Sequence, residues 1–384
     1  MTIINKIKTH IFHASSKTNW VFISIETEDQ LIGWGEASLN GWELVIEKVV
    51  SSQFQYLVGK DLEQAHLDLK IGPRSPGGLV AAAAVSAIQQ ALLSLISRYK
   101  KYSLDRLLGG AVRKNIPVYA NINRATKSRT PNGFVETALE AKKAGFESFK
   151  LAPFDGLFPL SCGNSEGKQI INKAIDCIFA VRDAVGKNAR LMVDCHWRFN
   201  ELAASEAIAA LREANLYWFE CPLIESQTNF EALRRLRSQA NSQGTLIAAA
   251  ETQIGVDSFR HIFAEKIYDV VMPDVKYCGG PWVMLEIASL AAEFGVKFAP
   301  HNPTGPVCHL QSLNIAAVAS EFDMLEIQFS ESPYFDQLIN SSGMLVENSQ
   351  LTLPSDLDIS LNLDLLQKRP YEPVPYGIET LLNS

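Results

Sequence analysis

The chain has 384 residues, 20% of them charged and 47% apolar, which supports a sizeable core and excludes disordered and fibrous classes. Its 42 acidic against 35 basic residues leave a formal net charge of −7, which argues against a nucleic-acid or anionic-membrane surface as its main task. No stretch approaches the roughly 18 to 20 unbroken apolar residues of a membrane span, and MTIINKIKTH lacks the apolar run of a secretory signal, so a cytoplasmic protein is expected. Six cysteines (Cys162, Cys177, Cys195, Cys221, Cys278, Cys308) form no C-x-x-C pair, which indicates neither a disulfide framework nor a structural zinc site.

In the first hundred residues Val21, Ile23 and Ile25 alternate with Phe22, Ser24 and Glu26, the period of a half-buried strand. A second strand is expected over Leu31–Ala37, and helices over Trp42–Val58 and the alanine-rich Leu79–Tyr99. Between those helices Ile71–Gly78 is rich in glycine and proline and reads as a loop. Residues 1–114 thus read as a small α+β unit. From Ile116 the texture changes to short apolar runs separated by helical patterns: Ile116–Asn121, Phe146–Leu151, Arg190–Asp194, Leu216–Phe219, Leu246–Ala250, Tyr268–Met272, Val296–Ala299 and Met324–Gln328. Eight such runs predict a (β/α) barrel over 115–353. The polar, proline-containing segment 354–384 is too short to fold alone and is expected to pack on the barrel or return to the N-terminal unit.

The C-terminal strand ends of such a barrel converge on one pocket. The ionisable residues at those ends are Lys150, Asp194 with His196, Glu220, Glu251, Asp274 and His301, with Glu326 inside the last run. From Asp194 to Glu326 each step is one β/α unit long. Asp194, Glu220 and Glu251 offer three oxygen ligands of the kind a hard divalent cation requires. Asp274 and His301, on the next two strands, can form a pair in which the carboxylate orients the imidazole as a base. His196, two residues beyond Asp194, points the same way along its strand and can serve as an acid.

These residues resemble the enolase superfamily, specifically its mandelate racemase subgroup and the acid-sugar dehydratases within it. The resemblance covers nearly the whole chain: Gly33-Trp34-Gly35-Glu36-Ala37, Leu107-Leu108-Gly109-Gly110, Ile116-Pro117-Val118-Tyr119, Phe219-Glu220-Cys221-Pro222, Met272-Pro273-Asp274-Val275 with Gly279-Gly280, and Ala299 to Pro306. Asp194-x-His196-x-Arg198 and His301-x-Pro303-x-Gly305-Pro306 are its most specific pieces. It implies an enolase-type barrel with an α+β capping domain completed by the C-terminal tail. It also implies one Mg²⁺ per subunit on Asp194, Glu220 and Glu251, and a base dyad of His301 with Asp274. His196 matches the general acid, Lys150 a substrate-side catalytic lysine, and Glu326 a carboxyl that binds the substrate carboxylate. Arg74 and Trp20 are candidates for contact with distal hydroxyls. A small-molecule carboxylate substrate and a homo-oligomer are implied, with no nucleic-acid or membrane partner.

The sequence departs from the pattern in two informative places. Members with a second base carry Lys-x-Lys on the second strand, but here it is Lys150-Leu151-Ala152, which weakens racemisation; the usual Glu-Glu-Pro is Glu220-Cys221-Pro222, which keeps the ligand. The expected activity is therefore elimination of the β-hydroxyl from an aldonate or aldarate to give a 2-keto-3-deoxy acid. Rival readings are epimerisation or cycloisomerisation, a metal-binding protein of low activity, and a Schiff-base aldolase using Lys150 or Lys276.

Overall fold

The computed structural model describes residues 2–69, 77–339, 345–353 and 359–374. The chain opens with an antiparallel sheet of β1 (Ile4–Ser15), β2 (Thr18–Thr27) and β3 (Ile32–Glu36), in the order β1-β2-β3. β2 is not half-buried as its alternation suggested, because both of its faces are covered. Val21, Ile23 and Ile25 pack with the cap helices, while Trp20 and Phe22 join the core shared with the barrel. The alanine-rich helix Leu79–Lys100 lies directly on β3: a Cβ on Gly33 would fall 2.2 Å from the Ala91 carbonyl oxygen, and one on Gly35 1.8 Å from that of Ala87. This helix is long and apolar enough to cross a membrane, yet 78% of its apolar window is buried inside the protein, as a core helix should be.

Eight parallel strands follow: β4 (Asn115–Asn121), β5 (Ser148–Leu151), β6 (Arg190–Asp194), β7 (Trp218–Glu220), β8 (Leu246–Ala249), β9 (Val270–Val271), β10 (Lys297–Phe298) and β11 (Leu325–Gln328). Sequence neighbours pair from β4 to β10, and β11 pairs back onto β4. Between β10 and β11 the Asp323 N–H donates to the Phe298 carbonyl at 2.9 Å, so the sheet closes into a barrel. Its interior is plugged by Tyr119, Met192, Trp218, Ala248, Val270, Met272, Ala299 and Met324, the side-chain layer that makes such a barrel a packed core and not a pore. A hairpin, β12 (Val346–Glu347) and β13 (Gln350–Thr352), pairs antiparallel with the start of β4. Beyond it the chain returns to the cap. Arg369 and His13 exchange hydrogen bonds through Arg369 O and Nε, and Arg98 donates to the Ile359 carbonyl.

Candidate active site

Height along a barrel strand decides what an inward side chain touches, because residues two apart share a face and successive inward residues form layers. Lys150 pairs in register with Met192, and Asp194, two residues on, pairs with Glu220. Asp194 and Glu220 therefore crown β6 and β7 one layer above Lys150. Glu251, Asp274 and His301 stand just past the ends of β8, β9 and β10.

Asp194, Glu220 and Glu251 are all buried, each offering a carboxylate oxygen within 4.8 Å of the others. Burial and mutual repulsion have pushed their protonation apart. Glu220 is driven well above the usual carboxylate range, first by burial and then by its acidic neighbours, against the opposing charge of Lys150. Glu251 is pushed up to about 8 by burial and by Asp194. Asp194 resists burial because His196 donates to it from Nε2 at 2.9 Å and from its backbone N–H at 2.9 Å, so it stays low. Three hard oxygen donors, two of them held toward the neutral form by burial and by like charge, fit a divalent cation, which would offset that repulsion. Trp218 Nε1 donates to Glu220 at 2.8 Å from the layer below and fixes that carboxylate's plane.

The next two strand ends carry a finished hydrogen-bonded unit. His301 Nδ1 lies 2.8 Å from Asp274 Oδ2, which leaves Nε2 facing the cavity 3.5 Å from Glu251. Asp274 is further held by Lys276, whose backbone N–H donates to Oδ1 at 2.8 Å and whose Nζ donates to Oδ2 at 2.6 Å. Burial alone would raise the Asp274 pKa, but Lys276 and then His301 outweigh it and keep the carboxylate ionised. Asp194, His196, Glu251, Lys276 and His301 line one cavity of about 410 Å³, while Lys150, Trp218, Glu220 and Asp274 stand behind its wall. β6 and β10 are the third and seventh of eight strands, so His196 and His301 face each other across the barrel mouth.

Comparison with known proteins shows which family the chain belongs to. Residues 4–109 match the mandelate racemase/muconate lactonizing enzyme N-terminal domain, and residues 133–364 match the enolase C-terminal domain-like family. The chain belongs to the mandelate racemase/muconate lactonizing enzyme family of the enolase superfamily. Among relatives in sequence, a D-gluconate dehydratase of Thermoproteus tenax is 28% identical over 94% of this chain and 72% of its own length. A D-galactonate dehydratase of Xanthomonas oryzae pv. oryzae (strain PXO99A) is 25% identical over 94% of this chain and 93% of its own. In structure, a mandelate racemase/muconate lactonizing enzyme-like protein from Rubrobacter xylanophilus DSM 9941 superposes with a TM-score of 0.84 at 25% identity, covering 98% of this chain and 99% of its own.

Within this enolase-superfamily frame, two residues expected at the substrate lie deeper than the cavity wall. Lys150 is 1% exposed and bridges Glu220 (2.7 Å) and Glu326 (2.9 Å). Burial opposes its charge, but Glu220 and Glu326 outweigh that and raise its pKa well above the lysine norm. Glu326, fully buried, also accepts from Asn121 Nδ2 at 2.7 Å and from the Asn302 N–H at 3.0 Å. Both therefore brace the floor beneath the three acids. Lys276 is likewise a buried ammonium, its charge favoured by Asp274 over the cost of burial, so neither lysine is the neutral amine that a Schiff base needs. Trp20 lines the cavity, buried on β2, and its Nε1 has no hydrogen-bond partner among the described residues. Arg74 lies outside the described residues.

The sequence left Glu36 without a role, and the structure gives it one. Fully buried at the end of β3, its Oε1 accepts from Ser38 and Thr304 side chains and from the Gly305 N–H, and its Oε2 from the Cys308 N–H at 3.0 Å. An anion thus caps the N-terminus of helix Pro306–Val318 and ties the cap to the loop that follows His301. The signal was the GWGEA run itself, whose lone acid among small and aromatic residues required a buried partner. Cys195, Cys221 and Cys278 adjoin the site, but burial drives all three thiols upward, so none is an activated nucleophile.

Proposed function

We propose that this protein is a Mg²⁺-dependent dehydratase of an acid sugar, an aldonate or aldarate, giving a 2-keto-3-deoxy acid. The observation that carries the reading is the placement of two histidines across one cavity from each other, with three buried acids between them. A proton α to a carboxylate is weakly acidic, so its removal by imidazole requires the developing negative charge to be offset. A divalent cation held by Asp194, Glu220 and Glu251 would supply that offset. His301, its Nδ1–H directed to Asp274, presents Nε2 as the base that takes the α-proton. His196, held against Asp194, is on the far flank, where it gives a proton to the departing β-hydroxyl as the C–O bond breaks. The C–H electron pair becomes the new C=C bond, the hydroxyl leaves as water, and the resulting enol becomes the keto acid.

Ala152 stands where a second base would be needed, and Lys150 is committed to Glu220 and Glu326. These facts favour elimination over two-base epimerisation. Similarity to the D-gluconate dehydratase of T. tenax and the D-galactonate dehydratase of X. oryzae supports the same class. The six buried, unpaired cysteines suit a reducing cytoplasm. We also infer a homo-oligomer, for which the exposed Trp42 and Trp282 offer apolar contact surface. The test is proton NMR in D₂O with C4 to C6 aldonic and aldaric acids, with Mg²⁺ or with EDTA. New C3 methylene signals and loss of the α-proton, both abolished by EDTA, are expected; full turnover in EDTA would sink the reading.

A further inference from the structure

We propose that Lys276 is a positioning residue for the base: it holds Asp274 as a fixed anion so that the His301 ring keeps its Nε2 aimed at the substrate's α-carbon. The inference rests on the dehydratase reading for its chemistry, and on geometry for everything else. Asp274 accepts three hydrogen bonds here, and Lys276 donates two of them, one to each oxygen: N–H to Oδ1 at 2.8 Å and Nζ to Oδ2 at 2.6 Å. The carboxylate can then neither rotate about its axis nor leave the plane it offers to His301 Nδ1 at 2.8 Å.

Lys276 is itself immobilised. It is 2% exposed, and its ammonium stands 5.1 Å from the ring centroid of Tyr277. Asp274 is 1% exposed, and the Tyr277 and Cys278 N–H groups donate to its backbone carbonyl at 2.9 Å, so the whole Asp274–Cys278 turn is a rigid mount. Among the described residues no other cation pairs with Asp274, and Glu251, the other ionisable group at His301, is an acceptor at 3.5 Å from Nε2. Were Lys276 neutral and apolar, Asp274 would be a buried carboxylate without its ammonium partner, its Oδ1 still held by the residue 276 N–H but its Oδ2 held by His301 alone, and so less firmly fixed against rotation about its Cβ–Cγ bond. A base displaced by about 1 Å loses on the order of 10² in rate.

The experiment compares wild type with Lys276→Met, Lys276→Gln and Lys276→Arg on two readouts. The first is the hydrogen-bonded Nδ1 proton of His301, observed by NMR of histidine-¹⁵N-labelled protein and assigned by its absence in His301→Asn. It should be sharp in wild type and Lys276→Arg, and broadened or lost to exchange in Lys276→Met and Lys276→Gln. The second is α-proton exchange and dehydration of the substrate, which should fall together about 100-fold in kcat in Lys276→Met and Lys276→Gln, recover in Lys276→Arg, and leave KM and Mg²⁺ affinity unchanged. Lys276→Gln, which keeps a side-chain donor, serves if the methionine variant fails to fold. An Nδ1 signal unaltered in the neutral variants overturns the proposal. So does wild-type exchange by either of them. Should the wild type neither exchange nor dehydrate any acid tested, the dehydratase reading fails while the Nδ1 signal still decides the role of Lys276.

Discussion

The two halves of the barrel mouth are built on opposite electrostatic plans. On β6 to β8 three acids converge with too little positive charge: Glu220 and Glu251 are both driven upward, and Lys150 from below and His196 from the side neutralise only part of the cluster. Past β9 and β10 the charges are matched, since Asp274 has Lys276 and His301. The first half is organised for a cation and the second is complete within the chain. Residues of the same type, buried to the same degree, thus report different things according to whether a counter-charge stands beside them.

Variants can break that contrast. His301→Asn should lose on the order of 10⁴ in both α-proton exchange and dehydration, the upper range for a general base, as read by NMR in D₂O. In denaturant titrations of metal-free protein, Lys276→Met should cost about 3 to 5 kcal/mol, because it removes the ammonium that balances the buried Asp274 carboxylate. Mg²⁺ at about a hundred times its Kd should stabilise wild type by about 2.7 kcal/mol and Glu251→Gln by nothing measurable. Smallest of all, Glu251→Gln should leave the metal-free protein as stable as wild type or slightly more so, since burial and Asp194 already hold Glu251 toward the neutral form and the amide keeps its shape. A large loss for Glu251→Gln and none for Lys276→Met would invert the contrast.

The barrel was legible because eight short apolar runs alternate with helical patterns, and the pocket because every run after the first carries an ionisable residue at or near its C-terminal end, as strand ends converging on a polar pocket require. Depth was not legible. Lys150 is the third of four residues in β5, and Glu326 the second of four in β11, so both fall below the rim although each is the first charge of its strand. A pattern of types shows which strand carries a charge, whereas the register that sets its layer depends on pairing with distant neighbours such as Met192 and Tyr119. The long β1 escaped notice for a related reason: its burial follows β2 on one side and the returning tail on the other, and its own sequence alternates poorly. Apolar runs also overstate strand length, for β9 and β10 each pair over only two residues. Lys276 lay in plain view as Asp-x-Lys, but only the geometry turns that spacing into two hydrogen bonds on one carboxylate.

The sharpest check that His301 and His196 act in succession from opposite flanks is His196→Asn with a substrate in D₂O. The expected result is α-proton exchange near the wild-type rate with methylene product reduced by about 10² to 10⁴. Dehydration at the wild-type rate, or loss of exchange together with dehydration, would contradict that order of events.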